Sequence, residues 1–345
     1  MTAPVTLVVP TWQRPGFLNR LLTYYASVDC EFPILIADSS EPQIHRQNLQ
    51  TVHGFSDSLD LSIHLLQLDV TEKCSAAVDL VQTPFAAFSA DDDFQIPDGV
   101  RQCTEFLCRH DDFQVCSGRT VFAAAGRDTV AVRSYRSVLH NGVISRLNQT
   151  SMGQYYCLFY GVHRTADLRR RLQIAGAATN TETSRILPEA MLVQLLAMDG
   201  KSMQLPVTSY IMEGHAQNFS RIASDVQDPS LFASDFKRYL SALCDAAVEA
   251  GVAENNVERV MTQSFLDLVP GCAELVRGKR SGFRRISRKI RRALRRFAVM
   301  GTQPAGRKKW VRLDAAAAEG EEVRLGLELL QRPMDDWEVT SSRAA

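Results

Sequence analysis

Three adjacent carboxylates, Asp91, Asp92 and Asp93, follow directly on the apolar run Phe85–Ser89. Like charges set side by side repel one another, and the cost falls when a cation is shared between them. A hard divalent ion suits the arrangement, since such ions take one or two carboxylates and complete their shell with substrate phosphates. A solvated acidic turn closed by Pro97 and Gly99 is the plainer alternative. The position of the triplet at the end of a buried strand favours the metal. An EF-hand loop is excluded, because Gln95 and Ile96 stand at its fifth position and at that of its required glycine. Neither GxGxxG nor a GxxxxGK loop follows any strand, which excludes the common dinucleotide and nucleoside-triphosphate loops.

The elements that must hold this triplet alternate in type. Val5–Pro10, Pro33–Ala37, Leu61–Leu68, Phe85–Ser89 and Gln114–Ala124 are apolar runs of strand length. Between them, Phe17, Leu18, Leu21, Leu22 and Tyr25 recur at helical spacing, Glu72–Val81 is helical in pattern, and a further helix starts at Pro97. Strands alternating with helices predict an α/β protein, a mostly parallel sheet with helices on both faces. Ligands of such sheets bind beyond the carboxyl ends of the strands. Thr11, Arg14, Asp38 and the aspartate triplet all fall there. Pro188–Met198 predicts a helix in a loop-rich region, and Phe236, Leu240, Leu243 and Ala247 predict helices over 230–275. The charged, Ala-rich stretch 299–345 is expected to be a loosely docked tail.

The 345 residues are 45% hydrophobic and 23% charged, which excludes collagen-like, disordered and disulfide-scaffold chains. No run approaches the roughly 20 apolar residues of a membrane span. The N-terminus lacks a basic region and a long enough apolar run for a secretory signal, so a cytoplasmic location is expected. The eight cysteines form no CxxC pair and are expected to be reduced core residues. Between Arg277 and Arg296 stand 11 Lys or Arg and no acid. The balanced total of 39 basic and 39 acidic residues is therefore an acidic body plus one basic segment.

Val5–Arg14 (VTLVVPTWQR), Ile34–Ser40 (ILIADSS) and Thr83–Phe94 (TPFAAFSADDDF) resemble the opening of a family 2-type glycosyltransferase with the GT-A fold. The likeness spans roughly residues 4–125, and continues more weakly through Tyr160–Arg164 and Leu187–Leu196 as in bacterial polysaccharide-type enzymes. It implies a GT-A-like domain over 1–220, a helical extension over 221–276, a basic amphipathic helix over 277–298 and a tail over 299–345. It also implies a nucleotide-sugar donor above the sheet. Asp38 would then accept a hydrogen bond from the base or ribose, unless it is only a strand-end turn residue. Asp91 would contact the ribose, and Asp92 and Asp93 would hold Mg²⁺ or Mn²⁺ against the diphosphate. Thr11 and Arg14 would line the base and phosphate pocket, and Lys73 would reach the nucleotide or simply be solvated. His215 would close the metal shell. Glu189, in the first turn of the Pro188–Met198 helix, matches the family's general base, with Glu182 and Asp199 as substitutes. Here Glu189 is followed by Ala190 where the commoner pattern is Glu-Asp.

Phe283, Ile286, Ile290, Leu294 and Phe297 share one helical face, and eight Lys or Arg from Arg284 to Arg296 cover the rest. Such a helix suits the interface of an anionic bilayer, where each basic residue contributes roughly 1 kcal/mol. Packing of its apolar stripe on the body is the alternative; nucleic acid is not expected as a partner. The combined expectation is a metal-dependent, inverting transfer of sugar to a glycan or lipid-linked acceptor at the inner face of the cell membrane. A sugar nucleotidyltransferase and a non-catalytic membrane-docking protein of the same fold remain alternatives.

Overall fold

The computed structural model describes residues 5–124, 126–151, 154, 158–179, 184, 186–215, 229–276, 306–312, 316–317 and 319–337. The basic helix expected over 277–298 and the expected substitute Glu182 lie outside the described residues.

The first half folds as its periodicity predicts. Strands β1 (Val5–Thr11), β2 (Ile34–Asp38), β3 (Leu61–Leu65) and β4 (Phe85–Phe88) form a parallel block in the order β3-β2-β1-β4. Helices α1 (Pro15–Ser27), α2 (Pro42–Gly54) and α3 (Val70–Asp79) make the crossovers. Register fixes where the strands end: Thr11 pairs with Asp38, and Val8 with Phe88, so β1 projects past the end of β4. Side chains alternate between two cores. Leu7, Val9, Phe85 and Ala87 face one side, with Leu18 and Leu21 of α1; Val8, Ala86 and Phe88 face the other, with Ala77 and Val78 of α3. Burial on both faces explains why these strands are continuously apolar.

Beyond β4 the sheet becomes mixed. The two-residue β5 (Phe94–Gln95) precedes α4 (Pro97–Arg109) and the long β6 (Phe113–Ala123). After β7 (Thr129–Tyr135) and α5 (Val143–Gln149), the three-residue β8 (Val162–Arg164) runs antiparallel between β4 and β6. Helices α6 (Thr165–Ala178) and α7 (Ile186–Asp199) lead to β9 (Lys201–Glu213), which runs parallel to β6 and pairs with β5. α7 is buried all round except at Glu189 and Asp199, as its nearly unbroken apolar sequence requires. α8 (Pro229–Glu249) and α9 (Glu254–Leu268) pack into the same core as α6 and α7, through Phe232, Phe236, Tyr239 and Phe265.

The C-terminal stretch departs from expectation. Gly306–Arg312 forms β10, antiparallel to β7 at the sheet edge. Glu321–Gln331 forms a helix, α10, that buries Val323, Leu327 and Leu330. These three lie four and three apart and make one apolar face, which the surrounding charges masked in the sequence. Gly326 permits the close approach, since a Cβ there would lie 2.8 Å from Ile211 Cδ1 and 3.3 Å from Phe94. Trp337 is buried beside α1, and its carbonyl accepts from Asn19. Among the described residues no helix is long and apolar enough to cross a membrane, and seven cysteines are free.

If this segment belongs to the core, Leu327→Ala should lower unfolding stability by about 2–5 kcal/mol, the range for a buried leucine. Urea denaturation measures it; a loss near zero would mean that α10 is only loosely attached.

Candidate functional site

Thr11, Arg14, Asp38 and the aspartate triplet lie at the carboxyl ends of β1, β2 and β4, with Asp91 and Asp92 sharing Arg14 and Asp93 turned away from them. Asp91 Oδ2 accepts from the Thr11 hydroxyl at 2.7 Å, and its Oδ1 pairs with Arg14. Asp92 Oδ2 receives both Arg14 Nη1 and His215 Nε2, each at 2.9 Å. Asp93 faces β9 instead, where Tyr210 Oη donates to it at 2.7 Å and the Glu213 amide at 2.8 Å. Asp93 therefore ties the aspartate loop to β9, rather than joining Asp92 as the sequence expectation had it.

These environments separate the acidities. Burial raises the Asp91 carboxyl to about 6 against the opposing charge of Arg14. Asp93 is pushed well above the usual carboxylate range by burial and by the neighbouring charge of Asp92. Burial works the same way on Asp92, but His215 and Arg14 outweigh it and hold that carboxyl below its ordinary value. Asp92 is thus the most acidic member of the triplet, and a ligand for a hard cation must be ionised.

Asp92 and His215 together fit a divalent ion that takes one or two protein ligands and fills its shell with phosphate oxygens. Among the described residues no group of three His, Cys, Asp or Glu gathers as a self-sufficient metal site.

Asp38 is fully buried and does not meet the triplet. Its Oδ1 accepts from the Ser40 amide, and its Oδ2 from His45 and Asn48, each at 2.8 Å. It thereby shapes the turn after β2, the alternative its strand-end position left open. Lys73 is buried rather than solvated; its Nζ donates to the Thr11 carbonyl at 2.9 Å and to Ser39 Oγ at 2.8 Å. Burial lowers the pKa of its ammonium group, with Asp91 and Asp38 among the opposing charges. Glu189 is half-buried at the start of α7. Asp199 is paired with Arg170 and Arg171 at that helix's far end.

Several residues went unnoticed in the sequence. Trp12 is 57% exposed immediately beyond β1, and Gln13 beside it takes a left-handed φ of 55°. Its amide donates to Ser40 Oγ at 2.7 Å, which locks the turns after β1 and β2 together. An aromatic residue in a breaker-rich turn was a legible signal for Trp12. Arg20, 1% exposed, donates to the Asp92 carbonyl at 3.0 Å and to Glu213 at 2.6 Å. Tyr160 stacks on Tyr210 at 4.5 Å. No sequence spacing announced these pairings.

No protein-family model and no curated protein matches this sequence. Solved structures do match. The crystal structure of S. aureus TarS 1–349 aligns at TM-score 0.54 and 14% identity, over 95% of this chain and 89% of that one. Its complex with UDP aligns at 0.52 and 14%, over the same shares. The complex with UDP-GlcNAc aligns at 0.50 and 16%, over 76% and 71%. The fold is that of TarS. At such identity the likeness concerns architecture, and the role of each side chain rests on its own geometry.

The Asp38 network has a measurable consequence. Burial opposes ionisation of this carboxyl, but Ser40, Asn48 and His45 prevail and lower its pKa. A carboxyl that titrates lower in the folded state stabilises fully above its unfolded value, and loses that contribution as pH falls through the folded one. Asp38→Asn should cost about 1–3 kcal/mol at pH 7. The gap from wild type should shrink as pH drops below about 4. Thermal unfolding across pH tests this; a gap independent of pH would contradict it.

Proposed function

We propose that this protein is a glycosyltransferase that moves a sugar from a nucleotide-sugar donor to a hydroxyl of a glycan or lipid-linked acceptor. The observation that carries the reading is the set of groups around the tips of β1 and β4. Arg14 and Lys73 supply positive charge, Asp92 with His215 supplies a cation site, and exposed Trp12 supplies an aromatic face. That set matches the parts of a nucleoside diphosphate: two phosphates, their metal and a base. The shared fold supports it, since TarS has been crystallised with UDP and with UDP-GlcNAc.

In this reading Trp12 stacks on the base, the contribution of such stacking being about 1–3 kcal/mol. Arg14 and Lys73 face the diphosphate. Asp92 and His215 would hold Mg²⁺ or Mn²⁺, and when bound the ion would offset charge on the departing diphosphate. Asp91 is held beside Thr11 near the ribose. The acceptor oxygen bonds to the anomeric carbon as the bond to the diphosphate oxygen breaks, and Glu189 takes the hydroxyl proton. A single displacement of this kind inverts the anomeric configuration.

The division from the sequence enters the proposal in part: a GT-A-like catalytic unit over 1–220, the helical extension 221–276, and the basic segment 277–298, with 283–297 as an electrostatic contact with anionic membrane at the cytoplasmic face. Salt should weaken that contact. Sedimentation with anionic vesicles should deplete the protein at low salt and not at high salt; equal recovery with neutral vesicles would contradict it.

Calorimetric titration with UDP-sugars and GDP-sugars, followed by product analysis, tests the catalytic reading. At least one donor should bind and be consumed. Asp92→Asn should lower turnover by about two orders of magnitude or more. Trp12→Ala should weaken donor binding roughly tenfold or more. Glu189→Gln should abolish transfer while leaving donor affinity unchanged. A folded wild-type protein that binds none of these donors would overturn the proposal.

A further inference from the structure

The same site holds two arginines in opposite circumstances. Arg20 is pinned in the interior by Glu213 and the Asp92 carbonyl, with its side chain 1% exposed. Arg14 lies in the turn before α1 with its side chain 24% exposed. Its guanidinium sits 5.2 Å from the centre of the Phe17 ring and bridges Asp91 and Asp92. On Asp92 it occupies Oδ2, the oxygen that also receives His215.

We infer that Arg14 is an internal counter-ion that keeps the cation position closed until the donor's diphosphate draws it away. The inference rests on the donor-site reading and adds how that site is regulated. Two carboxylates bridged by one guanidinium already share a cation, so a divalent ion arriving alone finds Asp92 Oδ2 taken and a like charge a few ångströms off. A diphosphate changes the balance. A planar guanidinium binds phosphate oxygens in the same forked manner as carboxylate, and the phosphates bring more negative charge than either aspartate. Arg14 can reach them without unfolding anything, because its side chain is partly exposed and is held, among the described residues, by its ring contact and the two carboxylates. Arg20 cannot follow, and it keeps the aspartate loop in place during the exchange. Metal and donor therefore bind with positive coupling, and by linkage each tightens the other equally.

Mn²⁺ binding to the full chain, read from the electron paramagnetic resonance signal of free Mn²⁺, tests this without turnover. Wild type should bind Mn²⁺ weakly alone and much more tightly with saturating UDP. Arg14→Gln should bind Mn²⁺ alone at least about tenfold more tightly than wild type, through loss of the competing charge. UDP should then add less tightening than in wild type. Asp92→Asn should remove Mn²⁺ binding in both backgrounds. Arg14→Met, which keeps the packing on Phe17, serves if glutamine is not tolerated. An Arg14 variant that stays folded yet binds Mn²⁺ alone no more tightly than wild type overturns the inference. If wild type still binds UDP, the donor-site reading survives that result; failure of wild type to bind any donor is what removes the latter.

Discussion

Three carboxyl groups buried at the tip of one strand cannot all carry charge side by side, and the architecture around them answers that constraint. Asp91 is given a hydroxyl and a guanidinium, Asp92 a guanidinium and an imidazole, Asp93 a phenol and a backbone amide. Burial pushes Asp91 and Asp93 upward, Asp91 to about 6, while the middle carboxyl is held below its ordinary range. Asp92 is thereby the most acidic of the three, and such separated acidities are a feature of functional sites.

The supporting frame is stiff for reasons that lie outside the triplet. The turns after β1 and β2 are latched by Gln13 on Ser40 and by Lys73 on Thr11 and Ser39. The end of β9, which carries His215, is held by Asp93 and by the buried Arg20–Glu213 pair. Arg20 also reaches Met334 Sδ at 3.4 Å. The C-terminal segment therefore backs the site from behind, although it lies more than three hundred positions along the chain from Arg20. Removing one partner of such a buried pair would be costly, because the other charge is left without compensation.

What the sequence made legible follows from burial. Strands β1, β2 and β4 are covered on both faces and so appear as largely apolar runs, and their ends placed Thr11, Arg14 and the triplet together. β8 escaped notice because three residues hold no period, and α10 because charged neighbours hid its apolar face. Within the site, Asp92 and His215 were joined in one expected metal shell on the resemblance alone, and Asp93 could not be told from Asp92. The difference between them is made by Tyr210, 117 positions away. Pairings of that length come from topology, which local pattern does not encode.

The most direct test of the account is crystallography of the protein grown with Mn²⁺ and a nucleoside diphosphate. The account requires the diphosphate beyond the tips of β1 and β4, the metal on Asp92 and His215, the base on Trp12, and Arg14 turned from Asp92 to a phosphate oxygen. Diphosphate bound elsewhere, with Arg14 still bridging Asp91 and Asp92, would contradict it.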